Sequence, residues 1–342
     1  MRFPGVVIFI ILIRSRYGDS YMSRTFVFYN PMLVASSRRQ ALLRRLETRL
    51  REGFAAQGQE VAVAPTLSAF SAGSQAAEAV AAGYDRFVVC GGDGTIFQVL
   101  QGIAGKGVSL GVIPMGTGNV IAQNLGLPRD PERAAGMLLR AKPREVTLGR
   151  LTVHPVGHKR PRSWYFLIAA GMGLHAALMN LSQTGQGKRI GGRSAYFAGG
   201  ARILLRDPIE EFDLEFTRVS GETRRYAVSE AIAVQLPHLN LWQPGGDWFA
   251  PHLRLAWIPR TGRGGFFTSV LKALSNKVPM EGPGDPIKIR PYYEDVTRMV
   301  CRPLAGGDGR SRLLVEADGE VLGAQYAEIG MARERVSLLF PE

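Results

Sequence analysis

Two glycine-rich segments, each placed between an apolar run and a helical pattern, constrain the fold of this chain most strongly. Residues 91–95, GGDGT, directly follow the apolar run 86–90, and residues 111–119, GVIPMGTGN, contain a second apolar run that ends in glycines. Short apolar runs that lead into glycines are typical of buried strands joined to helices by tight turns. The sequence therefore predicts two strand–turn–helix units with a glycine segment at each strand end.

Further alternation of strand and helix patterns predicts a doubly wound parallel α/β domain over residues 23–150. Residues 25–29 and 61–64 are predicted strands, an Ala-rich helical pattern covers residues 74–82, and Ser36 precedes a repeat of leucines four residues apart. Ligands of such sheets bind at the carboxyl ends of the strands, where both glycine segments fall.

The pattern changes after residue 150 and predicts a second domain, a mainly antiparallel β-sandwich over residues 151–325. Its predicted strands are residues 164–170, 212–218, 226–235, 253–258 and 296–302, and its predicted helices lie near residues 196–205 and 266–274.

The charge balance favours anionic partners. Lys and Arg number 42 against 29 Asp and Glu, which gives a net charge of +13. Nucleotide phosphates, anionic lipid headgroups and nucleic acid all fit such a charge, but no nucleic acid partner is expected because no helix-turn-helix, RRM or zinc motif accompanies it. Cys90 and Cys301 alone exclude a disulfide framework and a four-cysteine zinc site.

Residues 1–22 form an N-terminal extension with an apolar run at residues 6–13. This run is too short for a membrane-spanning helix, which needs about 20 apolar residues. Two interpretations stay open: an upstream start codon before a folded protein that begins near Met22, or an anchor on the membrane surface.

The glycine segments carry chemistry suited to phosphate. Backbone N–H groups of glycine-rich turns approach phosphate oxygens closely, and the following helix presents its positive N-terminus to the anion. The Thr95 hydroxyl can donate to a phosphate, and Asp93 can hold magnesium directly or through water. Neither segment is a Walker A loop, and the His-Arg-Asp and Asp-Phe-Gly elements of protein kinases are absent from the sequence.

Both segments closely resemble the catalytic domain of diacylglycerol kinases and bacterial lipid kinases. Sphingosine and ceramide kinases belong to the same superfamily. The resemblance extends over nearly the whole chain from about residue 25. It also rests on Asn30-Pro31, Thr66, residues 170–173 (AGMG), residues 188–196 (KRIGGRSAY) and residues 318–320 (DGE). It implies the fold shared by NAD kinases and diacylglycerol kinases, ATP and Mg²⁺ as cofactors, and a C-terminal segment, 326–342, that returns to the first domain.

The resemblance also implies roles for individual residues. Glu320 is the expected proton acceptor, and Asp93 is an expected catalytic residue and metal ligand. The implied nucleotide-binding residues are Asn30, Thr66, Gly91, Gly92, Asp93, Gly94, Thr95, Gly116, Thr117, Gly118 and Asn119. The expected substrate-binding residues are His175, Lys188 and Arg189.

The sequence departs from the family pattern at two places. His175 stands where relatives usually carry an aspartate that touches the lipid headgroup, and it is either a substitute hydrogen-bonding group or an ordinary half-buried histidine. Residues 252–255, HLRL, lack the acid of a loop that binds a structural magnesium in relatives, so no second metal is expected there.

Residues 318–320 also fit a plain hairpin turn, which Asp-Gly favours.

The function expected from this resemblance is that of an ATP-dependent lipid kinase that phosphorylates the hydroxyl of a membrane lipid such as diacylglycerol. The expected location is cytoplasmic, at the periphery of an anionic membrane, although the arginines of residues 38–51 also fit a solvated helix face. The alternatives are a ceramide or sphingoid-base kinase, an NAD kinase, which shares GGDGT, and a non-catalytic lipid-binding homologue. The sequence leaves open which lipid is the substrate. It also leaves open the oligomeric state, with a homodimer as one alternative.

Overall fold

The computed structural model of the protein describes residues 23–34, 36–68, 71–154, 160–183, 209–239, 245–274, 290–304, 313–324 and 326–342. The expectations for residues 1–22, for a helix at residues 196–205 and for Lys188 and Arg189 lie outside these residues. Across the part of the chain that is described, none of the helices combines the length and the apolar character needed to cross a membrane.

The N-terminal half is a parallel sheet flanked by helices, as the strand–helix alternation predicts. Its strands pair in the order β2-β1-β3-β4. They are β1 (Arg24–Tyr29), β2 (Glu60–Pro65), β3 (Arg86–Gly91) and β4 (Ser109–Pro114). The helices are α1 (Ser37–Ala55), α2 (Ala72–Ala81), α3 (Asp93–Ile103), α4 (Val120–Asn124) and α5 (Pro131–Leu138).

Alternation within β1 explains why helices cover both faces of this sheet. Successive side chains of a strand point to opposite faces. Val27 belongs to an apolar cluster with Leu46 and Leu50 of α1. Its neighbour Phe28 belongs to a different cluster, which includes Leu100 of α3. Burial on both faces stabilises the doubly wound arrangement that the sequence predicts.

The C-terminal strand joins the two halves of the molecule. β14 (Tyr326–Phe340) pairs antiparallel with β5 (Lys142–His154) along most of its length, and its end lies parallel to β4 through Ser337 and Leu338. The strand patterns did not predict β5. The proposed domain boundary at residue 150 falls inside this continuous strand, so the division of the chain into two domains stays a prediction.

The second half is mainly antiparallel, as predicted. Its strands are β6 (Arg162–Phe166), β7 (Ala169–Gly173), β8 (Phe212–Arg218), β9 (Thr223–Val234), β10 (Leu253–Pro259), β11 (Tyr292–Pro303), β12 (Leu314–Ala317) and β13 (Glu320–Ala324). The strands from β8 to β11 pair in sequence, and β11 pairs back with β8 to close a ring. Its described helices are α6 (Leu174–Gln183) and α7 (Arg263–Leu274).

One predicted strand is divided in two. The apolar run 164–170 predicts a single strand, but β6 ends at Phe166 and β7 begins at Ala169. Between them the backbone amides of Leu167 and Ile168 donate to the carboxylate of Asp318 instead of to a strand, at 2.9 and 2.8 Å. A distant buried carboxylate therefore interrupts a run that is uniformly apolar in sequence.

Candidate active site

The predicted nucleotide-binding residues gather at the carboxyl end of the parallel sheet. Asn30 follows β1, Thr66 follows β2, and Gly92 follows β3. Backbone hydrogen bonds join neighbouring strand ends, since the Thr66 amide donates to Tyr29 O at 2.9 Å and the Met115 amide donates to Gly91 O at 2.9 Å. The carboxyl edge is therefore one continuous surface, as expected for a ligand site in a sheet of this type.

The two glycine segments touch each other, and the contact requires residues without side chains. A Cβ built on Gly116 would lie only 2.6 Å from Gly92 Cα, and one built on Gly92 would lie 3.2 Å from Gly116 Cα. Atoms this close cannot belong to two side chains, because packed carbons need about 3.5–4.0 Å. The glycines thus bring the ends of β3 and β4 into direct backbone contact.

Asp93 joins the two segments by hydrogen bonds. It begins α3 and does not lie in a loop, and its carboxylate accepts the amides of Val120 and Ile121 at 3.0 and 3.1 Å. Burial raises the pKa of Asp93 above its usual range, and these amide hydrogen bonds oppose the shift. The carboxylate therefore caps the start of α4, a role that sequence reasoning did not assign to it.

Asn119 shapes the second glycine segment. It has a left-handed backbone conformation, with φ of 49°, which asparagine tolerates better than most residues. Its side chain pairs with Gly116, accepting the Gly116 amide at 2.9 Å and donating to the Gly116 carbonyl at 2.8 Å. Thr117 and Gly118 are exposed at the tip of this turn.

The other predicted nucleotide-binding side chains have local contacts. Asn30 Oδ1 accepts the Met32 amide at 2.9 Å and so begins the short 3₁₀ turn Pro31–Val34. Thr66 is buried, while Thr95 is partly exposed and lies against Gly91, where a built Cβ would be 3.1 Å from Thr95 Oγ1. These side chains lie at or beside strand ends. Their contact with a nucleotide stays a prediction.

Glu320 reaches the start of α3 from the far end of the chain. A Cβ built on Gly94 would lie 2.8 Å from Glu320 Oε1, so the missing side chain at residue 94 makes room for this carboxylate. The structure therefore brings together residues 91–95 and residues 318–320, which the sequence separates by most of its length.

A tight hairpin presents Glu320 at this position. Asp318 and Gly319, with φ of 50° and 85°, form the two-residue turn between β12 and β13, and Ala317 pairs with Glu320 across it. Positive φ at both central residues is the geometry that Asp-Gly turns favour. The hairpin interpretation of DGE is therefore right as a description of the backbone.

Asp318 anchors this turn to the core. Its carboxylate is buried and accepts the amides of Leu167, Ile168 and Ala169 at 2.9, 2.8 and 3.1 Å. Burial raises the pKa of Asp318 to about 7, against the opposing effect of these three hydrogen bonds. The turn thus has a fixed orientation relative to β7.

His175, expected to be either a substrate-binding group or an ordinary half-buried histidine, lies inside the second half. Only 7% of the residue is exposed. Its Nδ1 is hydrogen-bonded to Glu230 Oε1, and its Nε2 lies 3.1 Å from Glu316 Oε1. Both ring nitrogens therefore face buried carboxylates, from the two strands that flank β7.

The charge of this cluster follows from its composition. Burial by itself lowers the pKa of His175, but the charges and hydrogen bonds of Glu230 and Glu316 outweigh it and raise the pKa to about 10. The imidazole is thus protonated at neutral pH. Sequence reasoning missed Glu230 and Glu316, since each is a single acid in an apolar strand and carries no periodic or motif signal.

The first part of the chain is similar to known proteins. Residues 24–151 match the family model of the diacylglycerol kinase catalytic domain. A diacylglycerol kinase of Bacillus subtilis is 30% identical over 213 residues, which are 61% of this chain and 65% of that protein. A diacylglycerol kinase of Mycobacterium tuberculosis is 43% identical over 76 residues, which are 22% of this chain and 25% of that protein.

The matched segments thus span less than two thirds of either relative. The fold has a solved counterpart in a Bacillus anthracis protein named as a diacylglycerol kinase, with a TM-score of 0.66 and 18% identity over 94% of this chain and 99% of that one. At this identity the likeness concerns the fold. Residues 24–151 are thus similar to the diacylglycerol kinase catalytic domain, and the two glycine segments within them are in contact.

Proposed function

We propose that this protein is an ATP-dependent lipid kinase that phosphorylates the hydroxyl of a membrane lipid such as diacylglycerol. The observation that carries the proposal is the position of Glu320 against Gly94, at the N-terminus of α3. The N-terminus of α3 is suited to hold phosphate oxygens, and the Glu320 carboxylate lies beside it. A proton acceptor would therefore lie next to the phosphoryl group that is transferred.

The start of α3 fits the polyphosphate of ATP. Gly92 is the N-cap of the helix and offers backbone without a side chain, and the helix dipole favours negative charge at this end. Asn30, Thr66, Thr95 and the turn at Gly116 surround the same edge of the sheet and are the further groups that we assign to the nucleotide. Phosphoryl transfer depends mainly on such positioning and on charge neutralisation.

Asp93 fits magnesium through water better than by direct ligation. Its two oxygens already accept the amides of Val120 and Ile121, and a Cβ on Gly118 would lie 3.1 Å from Oδ2, so the glycine leaves space beside that oxygen. Magnesium commonly keeps several waters and is shared with substrate phosphates. When bound, it would neutralise charge on the transferring phosphoryl group.

Glu320 supplies the chemistry that the acceptor needs. A lipid alcohol is far too weakly acidic to ionise at neutral pH, so its proton must leave as the new bond forms. In the proposed reaction the alcohol oxygen attacks the γ-phosphorus, the bond from that phosphorus to the bridging oxygen breaks, and the proton passes to Glu320 while ADP departs. Gly94 and the Asp318–Gly319 turn hold the carboxylate in place for this step.

The membrane part of the proposal rests on charge. The net charge of +13 and the exposed arginines of α1 favour an anionic surface, and we place the enzyme at the periphery of the membrane on the cytoplasmic side. Some of these arginines also have local partners, such as Glu132 for Arg45 and Glu47 for Arg51. Lys188 and Arg189 remain proposed substrate-binding residues on the resemblance alone.

The test is phosphorylation of a panel of acceptors by radiolabelled ATP in detergent micelles. The panel contains diacylglycerol, ceramide, sphingosine and NAD, and it is run with the parent, Glu320→Gln and Glu145→Gln. We expect a labelled lipid with the parent, a turnover lower by about 10²–10⁴-fold for Glu320→Gln, which is the usual contribution of a general base, and unchanged binding of ATP.

Glu145→Gln is the matched control because it makes the same change on an exposed strand residue, whose side chain is 63% accessible. It should turn over like the parent. Labelling of NAD alone would overturn the lipid kinase proposal. Equal turnover by Glu320→Gln and Glu145→Gln would instead place the base elsewhere.

A further inference from the structure

A chain of buried charges leads from α6 to the turn that presents Glu320. Glu230 of β9 receives the Leu174 amide at 2.6 Å on Oε2 and contacts His175 Nδ1 with Oε1. His175 Nε2 faces Glu316 Oε1 at 3.1 Å, and Glu316 Oε2 accepts the Gly319 amide at 2.8 Å. Every link is a hydrogen bond or ion pair, and the last one ends in the residue that precedes Glu320.

The surrounding backbone is built to admit this chain. A Cβ on Gly173 would lie 2.5 Å from Glu230 Oε2, and one on Gly171 would lie 3.0 Å from the ring carbon Cε1 of His175. These are the glycines of the AGMG segment. The missing side chain of Gly173 leaves room for the Glu230 carboxylate. That of Gly171 leaves room first for the β9 backbone, 2.2 Å away at Ala231 O, and also for the imidazole.

Burial makes the cluster rigid. The exposed fractions of Glu230, His175 and Glu316 are 1%, 7% and 3%. Charges removed from water are costly unless each is paired, so the arrangement in which all partners meet is strongly preferred over alternatives. A carboxylate held in this way offers the Gly319 amide an acceptor at a fixed point.

We propose that His175, Glu230 and Glu316 are positioning residues for Glu320: the His175–Glu230 pair holds Glu316, and Glu316 holds the Gly319 amide that sets the direction of the Glu320 side chain. This inference rests on the proposed function of Glu320 as proton acceptor. Asp318 fixes the turn from one side through residues 167–169, and Glu316 fixes it from the other.

The first measurement is a double-mutant cycle on turnover. Glu316→Met removes the acceptor of the Gly319 amide at similar volume, whereas Glu316→Gln keeps a carbonyl acceptor. We expect Glu316→Met to lower kcat by about 10- to 100-fold with little change in KM for ATP, because a misplacement of about 1 Å can cost 10² in rate. Glu316→Gln should recover part of the loss, because its carbonyl oxygen can still accept the Gly319 amide while its NH₂ group faces His175.

Non-additivity separates positioning from general damage. If Glu316 acts through Glu320, Glu316→Met should lower kcat little further in a Glu320→Gln background, and His175→Gln should add little to Glu316→Met. Should His175→Gln fail to fold, the Met and Gln variants of Glu316 still decide the question. Additive losses, or equal losses for Glu316→Met and Glu316→Gln, would overturn the proposal.

The second measurement does not require activity. Hydrogen exchange by mass spectrometry on peptides that cover residues 314–322 should be faster in Glu316→Met than in the parent and in Glu316→Gln, because the Gly319 amide loses its acceptor. If the parent labels no lipid but this pattern appears, the proposed function fails and the positioning chain stands. If the parent is active but exchange is unchanged in Glu316→Met, the positioning chain fails alone.

Discussion

At the scale of single residues, the proposed proton acceptor Glu320 is also part of a turn that shapes the backbone. Glu320 follows Asp318 and Gly319, whose positive φ values form the turn between β12 and β13. The same turn places the Glu320 carboxylate against Gly94. A hairpin and a proton acceptor are therefore compatible descriptions of residues 318–320, because the turn is what aims the side chain.

Asp93 shows the same overlap and leads to a first prediction. In the parent, the two carboxylate oxygens of Asp93 accept the amides of Val120 and Ile121. Asp93→Asn keeps only one acceptor oxygen, and its NH₂ group would face one of these two backbone N–H donors. An unsatisfied group of this kind costs about 1–3 kcal/mol. We expect both turnover and the free energy of unfolding to fall, as measured by the kinase assay and by urea denaturation.

Asp130→Asn is the control for this substitution. Asp130 is the exposed N-cap of α5 and accepts a single amide, from Arg133 at 2.9 Å, and asparagine is an equally good N-cap. Its stability and turnover should match those of the parent. Unchanged stability of Asp93→Asn would show that the bridge between the glycine segments contributes little.

The second prediction concerns the pH dependence that His175 confers. The pKa of His175 is 6.5 in an unfolded chain and about 10 in the folded protein, so the folded state holds this proton more tightly. The resulting stabilisation is fully present below pH 6.5 and is lost as the pH rises through about 10. The stability penalty of His175→Gln should therefore shrink with rising pH.

Denaturation of the parent and His175→Gln across this pH range measures the effect, with His238→Gln at an exposed position as control. The difference between variant and parent cancels the titrating groups that do not interact with the cluster of His175, Glu230 and Glu316. A penalty that stays constant with pH would contradict a histidine whose proton is held by Glu230 and Glu316.

At the scale of elements, α3 connects the candidate site with the second half of the molecule. Its first three residues are the DGT of GGDGT, and further along Gln101 exchanges hydrogen bonds with Tyr165 of β6. The Gln101 side chain donates to the Tyr165 carbonyl at 2.9 Å and accepts its amide at 2.9 Å. Asn124 of α4 makes a similar pair with His238.

Gly94 provides the prediction at this scale. Alanine at residue 94 would improve helix propensity by about 0.8–1.0 kcal/mol, but its methyl group would lie 2.8 Å from Glu320 Oε1. The Glu320 side chain must then move, so we expect turnover to fall at least as far as in Glu320→Gln while the helix is not weakened. Kinase activity and the melting temperature are the two measurements.

Gly264→Ala is the matched control. Gly264 also lies within a helix, α7, and a Cβ there meets nothing within 4 Å. It should raise the melting temperature slightly and leave turnover unchanged. Full activity of Gly94→Ala would show that Glu320 does not need its present position.

At the scale of the whole molecule, the described strands belong to a single sheet of 14 strands. β14 is central to it, since it pairs with β5, β11 and β4. The glycine segments on β3 and β4 and the hairpin that carries Glu320 are therefore attached to the same framework. This shared framework explains how Gly94 and Glu320, which are far apart in the sequence, lie in contact.

The net charge of +13 gives the prediction for the whole molecule. Binding to vesicles should increase with the fraction of anionic lipid and decrease with salt, because the screening length is about 10 Å at 0.1 M salt. Co-sedimentation at several salt concentrations measures it. Arg38→Gln/Arg44→Gln on α1 should weaken binding more than Arg160→Gln/Arg162→Gln, and binding that ignores salt and lipid charge would contradict the prediction.

The sequence by itself determined the parallel sheet, the helices α1 to α4 and the two glycine turns. The apolar run 86–90, the leucine repeat of α1 with its Ser36 cap and the glycine clusters are signals among residues close together in the chain. Such local patterns depend on backbone geometry and on burial of one face, which a few consecutive residues specify. The family motif then indicated which strand ends matter.

The tertiary structure alone decided how the site is supported. Asp318 divides an apolar run into β6 and β7, and Glu230 and Glu316 enclose His175, a residue expected to bind substrate. Each contact joins segments far apart in the sequence through a single polar residue, which leaves no periodic signal. The energy of burying such a group depends entirely on which partners the fold brings to it, so its role emerges only when those partners meet.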